Sequence, residues 1–234
     1  MSEEWDVNWT SERVLLHNNI TGKNWTYELV SPPCCNICGK ELVRGKCWDY
    51  DRHSNLVQAE RTFQMGFYFP SARQELQASS DILSQHILNL KDYSQYARPI
   101  GTAMAMTLIN NYKEMLNVQF FVPVPSYGTD CNHAASLCEI ISKHVENTLG
   151  IKIPVQIALN KIKNITLHKL RSRSERQEAV IGMFTPSSSI SVVGKDIVLV
   201  DDLLTTADTK SECIKILKMH GAKRIWVFVA AGNV

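Results

Sequence analysis

Three uninterrupted apolar runs constrain the fold of this chain more than any other feature of its sequence. They are the segments "VQFFVPVP" (118–125), "DIVLV" (196–200) and "RIWVFVAA" (224–231). None of them alternates between apolar and polar residues, which is the pattern of strands covered on both faces. Helical patterns separate the runs, among them the one around Cys213. Strand, helix, strand units with short connections predict an α/β fold with a doubly wound parallel sheet, whose ligands bind at the carboxyl ends of the strands.

The spacing of apolar residues predicts several further elements. Phe63 and Met65 alternate with polar residues, which indicates a half-buried strand. A helix that ends at Gly150 in the usual C′ position is expected after the first apolar run. The predicted segments are a strand at 61–69, helices at 81–90, 97–112 and 131–149, and another buried strand at 151–159.

Two adjacent acids follow the second apolar run, in the segment "DIVLVDDLLTTADTK" (196–210). An unpaired charge at the end of a buried strand costs free energy, so Asp201 and Asp202 indicate a ligand outside the strand. If Thr206 to Thr209 open a helix, their hydroxyls and the unpaired backbone N–H groups form a phosphate site. The carboxylates then bind a sugar diol or a divalent metal, which together predicts a ribose 5-phosphate. The simpler interpretation is that Asp202 or Asp208 caps a helix while Asp201 lies in a solvated turn.

The motif "VLVDDLLTTADT" (198–209) resembles the phosphoribosyl-diphosphate (PRPP) binding motif of type I phosphoribosyltransferases. The resemblance implies that Asp201 and Asp202 face the ribose hydroxyls of PRPP, which binds with Mg²⁺. Ala207 stands where the family usually has glycine, a residue that lets the backbone approach phosphate closely. The identity of this residue therefore bears on whether the site turns PRPP over. The residues implied to surround the 5-phosphate are Thr205, Thr206, Ala207, Asp208 and Thr209.

A wider match selects one subfamily. The segments "CNICG", "GFYFP", "ILNLKDY", "FFVPVPSYGTDCNHAASL" and "RSRSERQEAVIGMF" precede the PRPP motif in this order. The order is similar to that of the ComF family of competence-associated phosphoribosyltransferase-like proteins, over about residues 35–234. The resemblance implies a type I phosphoribosyltransferase fold behind a small zinc-ribbon-like module, and it places Lys91 near the sugar phosphate. An isolated surface lysine is the alternative for Lys91. Of the family segment that follows "PVP", only Asn132 is retained.

A basic segment lies between the predicted strand at 151–159 and the sequence "GMF". A pyrophosphate leaving group needs positive charge as its bond to ribose breaks, and basic residues in a mobile loop over the site would supply it. Single-stranded nucleic acid would be attracted to the same charges, and a solvated charged loop is the simplest alternative. The basic residues are Lys161, Lys163, Lys169, Arg171, Arg173 and Arg176, of which the three arginines are the predicted pyrophosphate ligands.

A cysteine cluster near the N-terminus predicts a metal site. Cys35 and Cys38 in "CNICG" have the spacing of a zinc knuckle, in which two thiolates separated by two residues face one ion. Cys47 provides a third ligand, and Tyr50 stands where a ribbon pattern would have the fourth cysteine. A structural Zn²⁺ would explain how a segment with few aliphatic residues folds, and free or redox-active thiols are the alternative. The candidates for the fourth ligand are His53, which chemistry and spacing favour, Cys34 and Asp51.

Composition limits the remaining classes. The 234 residues carry a net charge of +2, so the chain is not a globally basic nucleic-acid binder. The odd number of cysteines and the lack of a signal-like segment or of an apolar run of roughly 20 residues predict a soluble, cytoplasmic protein without a membrane partner. Cys131, Cys138 and Cys213 are predicted core residues. The expected organisation is an N-terminal arm or hairpin at 1–33, a zinc-ribbon-like module at 34–60 and a phosphoribosyltransferase-like domain at 61–234.

Two functional hypotheses follow from these patterns. The first is Mg²⁺-dependent binding of PRPP and transfer of its phosphoribosyl group to an unidentified acceptor, with release of pyrophosphate. The second is a non-catalytic PRPP or nucleotide sensor, or a protein that handles single-stranded DNA, which retains the fold. Ala207 and the altered segment after "PVP" favour the second. A homodimer is a further candidate assembly.

Overall fold

The computed structural model describes residues 4–30, 34–40, 42–47, 53, 56–69, 81–127, 132–165, 172–204 and 207–233. The strands within these ranges are β1 Trp5–Trp9, β2 Arg13–Asn18, β3 Asn24–Glu28, β4 Arg61–Tyr68, β5 Phe120–Pro123, β6 Leu159–Lys161, β7 Phe184–Pro186, β8 Asp196–Leu204 and β9 Arg224–Asn233. The helices are α1 Ile82–Leu90, α2 Ala97–Asn111, α3 His133–Leu149, α4 Arg173–Val180 and α5 Ala207–Met219, with 3₁₀ turns at Ser94–Tyr96 and Lys113–Asn117.

The central sheet has four parallel strands in the order β4, β9, β8, β5. Its two faces are buried in separate cores. Val198 and Val200 of β8 join the core that contains α1, α2 and α3, whereas Ile197 and Leu199 join the core that contains α5 and the β6–β7 pair. Because both faces are covered, every one of these side chains is apolar, and each contributes about 1.5–3 kcal/mol on burial. The predicted doubly wound parallel α/β sheet is confirmed.

The three predicted helices begin and end near the expected residues. Asp81 caps α1, where its side chain accepts a hydrogen bond from the Ser84 backbone N–H at 2.7 Å. Asn132 caps α3 in the same way. Gly150 ends α3 with φ = +69°, a left-handed conformation that glycine adopts without steric cost. These local signals are sufficient for the helix boundaries.

The strand predicted at 151–159 is wrong for most of its length. Only a single bridge forms there, between Val155 and Phe121 of β5, and the regular strand begins at Leu159 in a separate pair with β7. Pro154 has no backbone N–H to donate and Ile157 is 43% exposed, so the segment runs past the sheet edge instead of extending it.

Strand β4 departs from the predicted half-buried alternation. Its polar residues Thr62 and Gln64 are 5% and 3% exposed, although the pattern places them on a solvent face. The turn that contains Cys35 and Cys38 packs over this face, and the Thr62 backbone N–H donates to the Asn36 carbonyl at 2.8 Å. The covering segment has few aliphatic residues, so hydrophobic patterning could not reveal it.

The N-terminal residues form a three-stranded antiparallel sheet of β1, β2 and β3. Val14, Leu16 and Tyr27 point from this sheet into the core that contains α1 and α2. The segment is therefore a sheet that shares the main core, where an arm or hairpin was expected. The domain boundaries at residues 33 and 60 stay predictions.

Two further observations concern predictions made from the sequence: the conformation of residues 173–180 and the possibility of a membrane-spanning helix. Residues 173–180, expected within a loop, form α4, which begins at Ser172 with a capping box completed by Glu175. No helix in the part of the chain that the structure describes combines the length and apolar character needed to cross a membrane.

Candidate functional site

Four side chains converge in the cysteine-containing segment: Cys35, Cys38, Cys47 and His53. Their potential ligand atoms all lie within 4.8 Å of one another. Cys38 Sγ and Cys47 Sγ are 3.5 Å apart, and His53 Nε2 lies 3.8 Å from Cys35 Sγ and 3.7 Å from Cys47 Sγ. Of the three candidates for the fourth ligand, His53 joins the cluster and Cys34 does not, whereas Asp51 lies outside the described residues.

The donor set and its spacing fit a zinc ion. Zinc binds sulfur at about 2.3 Å and imidazole nitrogen at about 2.0–2.1 Å, so a tetrahedral site places its ligand atoms roughly 3.5–3.8 Å apart. Three of the six separations, 3.5, 3.7 and 3.8 Å, lie in this interval, and all six are within 4.8 Å. Three cysteines and one histidine are also a usual structural zinc set. The cluster could therefore hold a zinc ion, as the cysteine spacing predicts.

The protonation of the cluster is linked to metal binding. Burial raises the pKa of Cys38 to about 12, a hydrogen bond from the Lys40 backbone acts in the opposite direction, and Cys35 and Cys47 raise it further. A thiol with this pKa keeps its proton at neutral pH unless a metal displaces it. Zinc binding at this site is therefore expected to release protons and to weaken as the pH falls.

Gly39 lets the knuckle lie against the central sheet. Its φ is +74°, and a Cβ at this position would be 2.6 Å from Gln64 Oε1 on β4 and 3.4 Å from Leu204 Cδ2 at the end of β8. A larger residue would crowd the Gln64 side chain and strain the left-handed backbone, whereas its contact with Leu204 would be an ordinary one. The cysteine-containing segment is thus packed close to the end of β8.

A second site surrounds the acid pair. Asp201 and Asp202 lie on β8 beyond the point where its neighbour β5 ends, since the last β5 pair joins Pro123 to Val200. On its other side β8 stays paired with β9 as far as Leu204, so the strand continues through the acids instead of ending before them. The long β9 supports this extension. The two acids are thus held on a rigid strand at the carboxyl edge of the sheet, where ligands bind in parallel α/β folds.

The charge of the acid pair is poorly compensated. Burial raises the pKa of Asp201 well above its ordinary value, and the charge of Asp202 acts in the same direction. The Asp202 backbone N–H donates to Asp201 Oδ1 at 2.9 Å. Lys161 on β6 lowers the pKa of Asp201, and burial in turn lowers the pKa of Lys161 while the charge of Asp201 raises it. A half-buried lysine of the basic segment therefore lies within electrostatic reach of the acids.

Helix α5 begins immediately after the acid pair. Ala207 and Thr209 are partly exposed in its first turn, and Asp208 is buried there. Because α5 follows β8, its N-terminus and unpaired N–H groups lie at the carboxyl edge of the sheet, as a phosphate site requires. Thr205 and Thr206 lie outside the described residues.

The structure describes fewer contacts for the remaining predicted site residues. Lys91 is exposed at the C-terminal end of α1, and within the described ranges no hydrogen bond or ion pair joins it to the acids. Arg173 and Arg176 belong to α4, but their side chains, like the whole of Arg171, lie outside what the structure describes. Asn132 Oδ1 accepts from the Ala135 N–H at 3.0 Å, so its side chain caps a helix.

Of the three cysteines predicted to lie in the core, the structure describes two. Cys138 on α3 and Cys213 on α5 are completely buried, as predicted. Cys131 lies outside the described residues.

Lys210 is a candidate that the sequence pattern did not single out. It is the fourth residue of α5 and is 5% exposed. Its Nζ donates to the Ile37 carbonyl, between Cys35 and Cys38, and to Thr62 Oγ1 at 2.7 Å. Burial lowers its pKa to about 8, while the two cysteines act to raise it. The available signal was a lysine on the same helical face as the buried Cys213.

Scans against protein-family models and curated proteins found no match. Solved structures gave distant likenesses. A glutamine PRPP amidotransferase from B. subtilis, complexed with ADP and GMP, is 14% identical, with a TM-score of 0.37 over 93% of this chain and 36% of that chain. A UMP synthase from Leishmania donovani is 16% identical, with a TM-score of 0.32 over 60% of this chain and 22% of that chain.

A phosphoribosylpyrophosphate synthetase from Mycobacterium smegmatis is 14% identical, with a TM-score of 0.35 over 98% of this chain and 72% of that chain. The present chain thus spans about a third or less of the length of the first two proteins. Likenesses at these TM-scores assign neither fold nor function, which are inferred from the residues of the chain itself.

Proposed function

We propose that this chain binds PRPP together with Mg²⁺ at the carboxyl edge of β8 and transfers the phosphoribosyl group to an acceptor, releasing pyrophosphate. One observation carries the proposal: an incompletely compensated acid pair lies on β8, where β9 still pairs with the strand, and α5 begins at Ala207, five residues after Asp202. The order of the sequence segments also supports a ComF-like type I phosphoribosyltransferase that works in the cytoplasm.

The acids and the helix terminus bind different parts of PRPP. Asp201 and Asp202 accept hydrogen bonds from the ribose hydroxyls, which supply the polar partners that the strand does not. The backbone N–H groups at the start of α5 and the threonine hydroxyls of residues 205–209 bind the 5-phosphate. The buried Asp208 interacts favourably with the same helix terminus, so its carboxylate and the phosphate share that positive end.

The transfer itself requires charge neutralisation at the leaving group. A lone pair of the acceptor forms the new bond to C1 of ribose, the bond from C1 to the diphosphate oxygen breaks with its electrons, and the acceptor loses a proton. Mg²⁺, when bound with PRPP, would neutralise part of the diphosphate charge. Lys161 lies close to the acids and serves the same purpose. Arg171, Arg173 and Arg176 are proposed to reach the pyrophosphate from the basic segment, and Lys91 the sugar phosphate.

The cysteine-containing segment has a structural role in this proposal. Cys35, Cys38, Cys47 and His53 hold a zinc ion that replaces the hydrophobic core the segment lacks. The segment packs on β4 and next to the end of β8, and it is therefore part of the framework that supports the PRPP site.

A second function, binding of PRPP or a nucleotide without turnover, draws on two observations. Ala207 occupies the first turn of α5 in place of the usual glycine. Asn132, the retained residue of the segment after "PVP", caps α3 instead of facing a ligand. Such a sensor would use the same acids and helix terminus, and the basic segment would then be available for single-stranded nucleic acid.

Isothermal titration of PRPP with Mg²⁺ tests the binding site. The variant with both Asp201→Asn and Asp202→Asn is expected to bind about 100-fold more weakly, because a hydrogen bond to a charged group contributes about 1.5–3 kcal/mol and one to the neutral amide only about 0.5–1.5 kcal/mol. Asp196→Asn, at the other end of the same strand, is the matched control and should leave affinity unchanged. Wild-type affinity in the double variant would refute the site.

Pyrophosphate release separates the two functions. A panel of bases and amines, with and without single-stranded DNA, is incubated with PRPP and the wild-type protein. Release that depends on one acceptor supports transfer. Binding without release from any acceptor supports the sensor.

A further inference from the structure

The cysteine-containing segment is attached to the phosphate-binding helix by polar contacts. The Val57 backbone N–H donates to Ser211 Oγ on α5 at 2.8 Å, and Lys218 Nζ donates to the Gln58 carbonyl at 2.8 Å. Lys210 makes the most deeply buried of these contacts. The segment and α5 are thus joined at three places along the helix.

Lys210 reaches the metal cluster from the first turns of α5. Its ammonium group donates to the carbonyl of Ile37, the residue directly before Cys38, and to Thr62 Oγ1 at 2.7 Å. Thr62 Oγ1 donates to the same Ile37 carbonyl at 3.2 Å. Lys210 and Ile37 are 173 residues apart in the chain. The fold therefore brings a cation beneath the turn that holds two of the four ligands.

The charge of a loaded cluster makes this cation significant. A Zn²⁺ ion with three thiolates and one neutral histidine carries a net charge of −1. A buried charge is costly unless it is paired, and the same holds for a buried ammonium group. Lys210 is 5% exposed, and the side chains whose charges act on it include Cys38 and Cys35. Each charge therefore offsets the cost of burying the other.

We propose that Lys210 is the counter-charge of the metal centre and couples it to the first turn of α5. The assignment rests on the proposed zinc site. With zinc bound, the ammonium group is held between the Ile37 carbonyl and Thr62, and the start of α5 is held with it. Loss of zinc leaves the ammonium group without its counter-charge and releases the turn that binds the 5-phosphate. Zinc loading thereby sets the affinity of the adjacent PRPP site.

Zinc affinity is the direct test of the pairing. Wild-type protein, Lys210→Met and Lys210→Gln are titrated against a chromophoric chelator, with Lys215→Met, an exposed position on the same helix, as the control. Removal of a group that supports metal ligands weakens metal binding by about 10–100-fold. We expect that loss for both Lys210 variants and none for Lys215→Met. Lys210→Arg, which keeps the charge, should recover most of the affinity.

Lys210→Gln keeps a hydrogen-bond donor toward the Ile37 carbonyl and thus protects the test against misfolding of Lys210→Met. Wild-type zinc affinity in Lys210→Gln would overturn the proposal, because the hydrogen bond alone would then account for the contact. The ligand-field spectrum of the cobalt-substituted protein supplies a second readout, and it should keep its tetrahedral form in Lys215→Met.

Hydrogen exchange tests the coupling without PRPP. Removal of zinc from the wild-type protein is expected to speed exchange in the peptide covering residues 204–219. Lys210→Gln with zinc bound should exchange at a rate close to that of the zinc-free protein. Unchanged exchange in this peptide would overturn the coupling. If the wild-type protein binds no PRPP, the proposed function fails, while the metal and exchange measurements still decide the role of Lys210.

Discussion

Strand β8 carries acids at both ends, and the two environments differ. At its start, Asp196 is 7% exposed and accepts two hydrogen bonds from Arg224, at 3.1 Å from Nε and 2.5 Å from Nη2. These bonds lower the pKa of Asp196. Near its other end, burial and the charge of Asp202 raise the pKa of Asp201. Among the described side chains, no lysine or arginine forms an ion pair with Asp201 or Asp202.

The difference separates an acid that stabilises the fold from acids that do not. Arg224 on the neighbouring strand donates two hydrogen bonds to Asp196. The charge of Asp196 therefore favours folding at pH values above its pKa. Burial and the charge of Asp202 disfavour the ionised form of Asp201 in the folded protein, whereas the Asp202 backbone N–H and, among the described side chains, Lys161 favour it. A strongly perturbed carboxyl such as that of Asp201, at a position where parallel sheets bind ligands, indicates function. The different environments of Asp196 and Asp201 lead to four testable expectations.

The largest effect is expected from reversing the charge of Lys161, the described lysine that offsets the charge of the acids. Lys161→Glu places a third negative group near Asp201 and should weaken PRPP binding by about 100-fold, which corresponds to about 2.7 kcal/mol. Lys161→Met should lose about tenfold. Titration calorimetry measures both, with Lys163→Glu in the same basic segment as the control. Equal affinities in Lys161→Glu and Lys163→Glu would show that general basic charge, and not proximity to the acids, matters.

Asp201→Asn should stabilise the ligand-free protein. Asparagine keeps the oxygen that accepts the Asp202 N–H and removes a charge that folding disfavours. The melting temperature at pH 7 should rise by about 2–4 °C for each kcal/mol relieved. Since the pKa of Asp201 is higher in the folded state, this advantage should grow as the pH rises above about 4 and disappear at lower pH. A melting temperature below that of the wild-type protein would contradict the proposed difference between Asp196 and Asp201.

Arg224→Ala should show the opposite pH dependence. The pKa of Asp196 is lower in the folded state, so the pair contributes stability above the unfolded pKa of about 3.9, and that stability is lost as the pH falls through the folded pKa. The variant should melt a few degrees, roughly 2–4 °C, below wild type at pH 7, and the two curves should converge at acid pH. Lys152→Ala, at an exposed lysine, is the control for general loss of charge, because Lys223, next to Arg224 in the chain, itself lowers the pKa of Asp196.

The smallest effect is expected from Mg²⁺ alone. A weakly bound ion at a few times its dissociation constant stabilises by about 1 kcal/mol, which raises the melting temperature by about 2–4 °C. The gain should vanish in the Asp201→Asn and Asp202→Asn double variant and persist in Asp196→Asn. Thermal melts in Mg²⁺ and in matched ionic strength without it provide the comparison. Equal shifts in all three proteins would place the ion elsewhere.

Local sequence signals predicted a large part of this architecture. Asp81 and Gly150 mark helix ends because their capping interactions involve residues within one turn. The apolar runs of β5, β8 and β9 predicted buried strands because both faces of the sheet are covered. The failures, at residues 151–159 and on the polar face of β4, occurred where packing between distant segments overrides local periodicity.

Local sequence patterns were sufficient to predict a parallel α/β domain, an acid pair ahead of a helix terminus and three cysteines spaced for a metal. These depend on period, capping and short spacing, which neighbouring residues encode. The structure was needed to separate His53, which spacing already favoured, from Cys34, and to show that β8 continues through its acids beside β9 and that Lys210 lies beneath the knuckle. The contacts of β9 and Lys210 join residues far apart in the chain, so they arise from the packing of whole elements and leave no local pattern.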